Sequence, residues 1–89
     1  MKVYCIPLDV PNPDKDPKGA ETARKFIASR PGVVAFCPYE GKMIICFDTI
    51  ENARSTAWKL EEFTPEGKIK IIVGVKVGDA LNLTKVVDA

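Results

Sequence analysis

From Lys68 to Val77 the chain alternates strictly, with Ile69, Ile71, Val73, Val75 and Val77 on one side and Lys68, Lys70, Ile72, Gly74 and Lys76 on the other. Period-two alternation of this kind predicts a strand with one buried face. Lys2 to Leu8, rich in Val, Tyr and Ile and closed by a proline, predicts another. Val33 to Tyr39 and Lys42 to Phe47 predict two more strands, and Glu40-Gly41 between them suits a tight hairpin turn. Two stretches switch to helical spacing instead. Ala20, Ala23, Phe26 and Ile27 form one stripe, entered by an Asp16 cap with Pro17 at the first helical position and stopped near Arg30 by Pro31-Gly32. Ile50, Ala53, Ala57 and Leu60 form the second stripe, with Trp58 off to the flank. Asp48 supplies the expected cap of that helix, Glu51 the acid three residues on, and Thr64-Pro65-Glu66-Gly67 its end.

The resulting order is strand, helix, strand, strand, helix, strand. This is the split βαβ, or ferredoxin-like, α+β arrangement: a four-stranded antiparallel sheet with two helices on one face, formed by residues 1–89 as a single domain. Residues 78–89, with Leu81, Leu83, Val86 and Val87, are expected to add an edge strand or to dock as a tail on a partner.

Alternation then assigns faces. Met43, Ile45 and Phe47 are expected toward the helices, together with Val3, Cys5 and the apolar set of the last strand. The opposite, open face would carry an apolar centre of Tyr4, Ile6, Ile44 and Ile72, bordered by Lys2, Lys42, Lys68, Lys70 and Lys76. An uncovered patch of this type is expected to meet a partner.

Composition narrows the chemistry. At 89 residues the chain is near the lower end of what one core stabilises unaided, so a homo-oligomer or a protein partner is expected. Its 46% hydrophobic and 28% charged residues suit a globular domain, and no apolar run approaches the ~18 residues of a membrane span. A cytoplasmic protein is expected, since the start of the chain is too short in apolar residues for a signal peptide. Net charge is +1, so no global basic excess points to nucleic acid. Cys5, Cys37 and Cys46 are odd in number, lack C-x-x-C spacing and lie inside strands, which predicts reduced buried thiols and no metal site. No histidine is present, which removes the commonest general base and every Ser-His or Cys-His nucleophile. The loop from Asp9 to Pro17 spaces Asn12, Asp14 and Asp16 like calcium ligands, but Pro17 stands where a calcium loop turns, so a solvated loop is expected. No cofactor is implied.

Val3-Tyr4-Cys5-Ile6-Pro7-Leu8 resembles the six-residue first-strand motif of RNA-recognition-motif domains, with Tyr4 at the base-stacking position. Glu40 to Phe47 is similar to that family's eight-residue motif in its glycine and final aromatic, with Lys42 and Ile44 where two stacking rings belong. The resemblance carries over Tyr4 alone as a stacking residue; together with the lysines that alternation places around it, the alternative expectation is a nucleic-acid surface of Lys2, Tyr4, Lys42, Lys68, Lys70 and Lys76. Acylphosphatases share the topology, but their arginine-bearing anion loop has no counterpart between Asp9 and Pro17. The leading expectation is a non-catalytic module that self-associates or binds a protein through Tyr4, Ile6, Lys42, Ile44 and Ile72, or through a sheet edge.

Overall fold

The computed structural model describes residues 1–8, 14–40, 42–61 and 69–88. The chain runs β1 (Lys2–Leu8), α1 (Pro17–Ser29), β2 (Val33–Tyr39), β3 (Lys42–Phe47), α2 (Ile50–Glu61), β4 (Lys70–Val77) and β5 (Ala80–Asp88). Most of the Asp9 to Pro17 loop, expected to be solvated, and the Thr64 to Gly67 helix stop with Lys68, lie outside the described residues. The protein is α+β, with a five-stranded, fully antiparallel sheet in the order β2-β3-β1-β4-β5.

The expected sheet of four strands is therefore one strand short. Gly78 takes a left-handed φ of 58° at the tip of the β4–β5 hairpin, and the returning chain pairs with β4 from Ala80 to Asp88. A turn of that sign suits glycine, and it converts what could have been a tail into an edge strand. Leu81 and Leu83 pack on the sheet's inner residues, which gives the strand an apolar reason to stay.

Both helices lie on one face. Ile27 of α1 and Ala53, Ala57 and Leu60 of α2 close over Ile6, Ile45, Phe47 and Ile71. Asp16 caps α1 as expected, its carboxylate accepting from the Gly19 amide at 3.0 Å. The α2 cap shifts by one residue: Thr49 Oγ1 accepts from the Asn52 amide at 3.2 Å, while Asp48 instead accepts from the Asn52 side chain at 3.0 Å. Either oxygen can cap, and helix start at Ile50 selects Thr49. Arg30, just past α1, donates to Thr56 Oγ1 at 3.0 Å and to Ser55 Oγ at 2.9 Å, tying the end of α1 to α2.

The face assignment of β1 is the reverse of the one expected. In an antiparallel ladder, residues directly opposite each other share a face. Tyr4 stands opposite Phe47 and Ile6 opposite Ile45, so Tyr4 and Ile6 join the layer under the helices, while Val3 and Cys5 turn to the other side. The stretch Val3 to Ile6 is apolar in both phases, so alternation within it does not select a face. In β4, Ile71 is buried as expected, but Val75 and Val77 are 43% and 70% exposed. Trp58, also off the helix stripe, is 56% exposed.

Candidate functional site: the helix-free face and the sheet edges

Neither α1 nor α2 covers the second face, yet its centre is closed to solvent. Val3, Cys5 and Cys46 have no exposed surface and Ile44 only 1%. Ala35, Cys37 and Tyr39 from β2, Ile72 from β4 and Leu81 and Leu83 from β5 pack around them. The outermost strands thus cover the middle of their own sheet. A cavity of about 430 Å³ makes the curvature explicit: Val34, Ala35, Phe36 and Cys37 of β2 line it together with Lys76, Asp79 and Leu81 of the β4–β5 hairpin, although these strands stand at opposite ends of the sheet order. A smaller hollow of about 210 Å³ lies among Pro7, Tyr39, Glu40, Ile44 and Ile72. Strong sheet twist and bulges make such curling possible. Bulges occur at Val34 in β2 and at Thr84 in β5, which falls between the pairs Val73–Lys85 and Gly74–Leu83. At Gly74 the backbones approach so closely that a Cβ would sit 2.6 Å from the Asn82 carbonyl oxygen.

This geometry divides the expected interaction residues. Ile44 and Ile72 share the helix-free face, with Ile44 fully buried there, while Tyr4 and Ile6 are on the helix side. Lys42 is in register with Tyr39. Of the expected lysine rim, the described Lys2, Lys70 and Lys76 are not brought together on one face. Lys2 lies 5.8 Å from the Tyr4 ring on the helix side, Lys70 pairs with Asp88 at 3.9 Å, and Lys76 donates to the Gly78 carbonyl beside the larger cavity. Tyr4, packed against the core, therefore does not join Lys70 and Lys76 on one surface.

The face does assemble the three cysteines. Cys5 and Cys46 are directly opposite each other, with Sγ atoms 2.7 Å apart, and the Cys5 thiol donates to Cys46. Cys37 on β2 lies diagonally across from Cys46, opposite Ile44. All three are free thiols here, with Cys5 and Cys46 buried and Cys37, expected to be buried too, only half-buried. The hydrogen bond to Cys46, then burial, pushes the Cys5 thiol up out of the ordinary range. The same bond lowers Cys46, aided by Cys37 and by the positive charge of Lys76 and opposed by burial. Burial raises Cys37, and the nearby Cys46 adds to this. Among the described residues, no group of three or more Cys, Asp or Glu side chains is arranged to hold a metal ion, and no helix is long and apolar enough to cross a membrane. The cysteine cluster depends on the register of three strands, so spacing along the chain carries no sign of it.

Phe36 and Val34 were also not anticipated. Each is 36% exposed on β2, which stands at one end of the sheet order. Comparison with protein-family models, with curated proteins and with solved structures finds no match for the chain.

Proposed function

We propose that this chain is a small non-catalytic interaction module of the cytoplasm, and that it pairs with a second copy of itself along the free edge of β2. The observation that carries this reading is the chemistry of that edge. β2 reads Val33-Val34-Ala35-Phe36-Cys37-Pro38-Tyr39, without a single charge, and it leaves Val34 and Phe36 36% exposed. Free edges are usually blunted by lysines or other charges. The opposite edge, β5, follows that practice with Lys85 and Asp88. On β2 only the bulge near Val34 and Pro38 interrupt the ladder. Two identical edges can meet antiparallel about a two-fold axis, each presenting Phe36 to the other. Burying Val34 and Phe36 would contribute about 1.5 to 3 kcal/mol per side chain before the cost of association. The element order, and the order β2-β3-β1-β4 of the first four strands, support the ferredoxin-like arrangement as the parent topology, with β5 added outside β4.

Light scattering over a concentration series tests the proposal, with the native chain beside Phe36→Asp. The native protein is expected to be dimeric and the variant monomeric and folded, since the replaced side chain is already partly in solvent. A native protein that stays monomeric at high concentration overturns the reading.

A further inference from the structure

We propose that Cys37, Cys46 and Cys5 form a thiol relay, which carries oxidation from the cavity between the sheet edges into the interior and ends in a Cys5–Cys46 disulfide. Accessibility sets the direction. Cys37 is half-buried and lines the 430 Å³ cavity, whereas Cys5 and Cys46 have no exposed surface, so a solute reaches only the first of the three. Geometry sets the end point. Cys5 and Cys46 face each other across β1 and β3 with their sulfurs 2.7 Å apart, less than 1 Å beyond the S–S bond length of about 2.05 Å. Neither strand has to change partner or register for that bond to form.

The oxidant is a hydroperoxide. The Cys37 thiolate attacks the outer peroxide oxygen, the O–O bond breaks, and Cys37 becomes a sulfenic acid while the peroxide leaves as an alcohol, or as water when hydrogen peroxide is used. Cys46 then attacks the Cys37 sulfur. An S–S bond forms, the sulfenic oxygen departs as water with the proton from Cys46, and the two-electron oxidation now rests on Cys37–Cys46. Finally Cys5 attacks the Cys46 sulfur, Cys37 leaves as a thiol after taking up the proton from Cys5, and the disulfide moves to Cys5–Cys46. The two thiol hydrogens and the peroxide yield one disulfide, one alcohol and one water. Lys76 lines the same cavity and places a positive charge beside the sulfurs that must carry negative charge. Because burial raises Cys37, its thiolate is scarce at neutral pH, and the first step accelerates as pH rises.

Trypsin sites separate the three cysteines: Cys5 lies between Lys2 and Lys15, Cys37 between Lys25 and Lys42, and Cys46 between Lys42 and Arg54. The reduced native chain is exposed to hydrogen peroxide, blocked by alkylation in denaturant and digested without reductant. The expected product is one cross-link, between the Cys5 and Cys46 peptides. Cys37→Ala is expected to form it about tenfold more slowly or less, because the exposed thiol that admits the oxidant is gone. Cys5→Ala is expected to stop at a Cys37–Cys46 link. The relay is overturned if the native chain gives no Cys5–Cys46 link, if Cys37→Ala forms it at the native rate, or if Cys5→Ala gives no link at all.

Discussion

Tyr4 of β1 stands directly opposite Phe47 of β3, and both rings enter the layer beneath the helices. This pair fixes which half of each central strand makes the core, because a shift of one residue would send every side chain of β1 to the other face. Phe47 is fully buried and, among the described residues, is the largest side chain so enclosed. Phe47→Ala is expected to destabilise the fold by about 3 to 5 kcal/mol, the usual cost of removing a buried ring and leaving a cavity. Urea unfolding with an unchanged slope measures it, and a loss below about 1 kcal/mol would contradict this placement.

Gly74 is expected to resist even the smallest enlargement. A Cβ there would meet the Asn82 carbonyl oxygen at 2.6 Å and Leu83 Cδ2 at 2.8 Å, and the first of these is backbone that cannot swing away. Gly74→Ala should therefore cost about 1 to 3 kcal/mol, in the range of overpacked cores. At Gly78 nothing lies within 4 Å, so the cost of Gly78→Ala comes only from its φ of +58°, about 1 kcal/mol. Thermal unfolding of the two variants should rank them in that order.

Alkaline pH should weaken the reduced protein. Cys5, raised chiefly by its hydrogen bond to Cys46, and Cys37, raised chiefly by burial, keep their protons in the folded state at a pH where the unfolded chain releases them. Their contribution is complete below the unfolded thiol value of about 8.5 and is lost as pH rises above it, by at most about 1.4 kcal/mol per pH unit for each group. Cys46, lowered by donation from Cys5, acts in the opposite sense: its contribution is present above the unfolded value and is lost as pH falls through its folded one. Denaturant titrations in reductant near neutral pH and near about pH 10 should show a smaller alkaline loss in the Cys5→Ala, Cys46→Ala double variant than in the native chain. An equal loss in both would count against the buried pair as its source.

Most of the architecture was legible because it rests on local signals. The Asp16-Pro17 helix entry, the Ala20 to Ile27 stripe, the β2–β3 hairpin and the alternation of β4 each declare themselves within a few residues. The errors arose where two local solutions are equivalent. Val3 to Ile6 is apolar in either phase, and only pairing with Ile45 and Phe47 decides its face. Asp48 and Thr49 are both competent caps. β5 alternates as a strand, but most of its side chains are exposed, so without its β4 partner it reads equally well as a tail. The candidate site was harder still. The thiol cluster and the cavity join residues from strands far apart in the chain, and the closure of the helix-free face is a property of sheet curvature that no single segment encodes.

The β4–β5 hairpin has a further consequence for the protein's behaviour in a crowded solution. Lys70 to Val77 is an eight-residue, proline-free run of high strand propensity, the kind of segment that templates cross-β stacking when its backbone is bare. One side of it is occupied by β1, and β5 occupies the other along its full length. β5 thus covers the edge of this strand-prone segment on which another copy could otherwise stack.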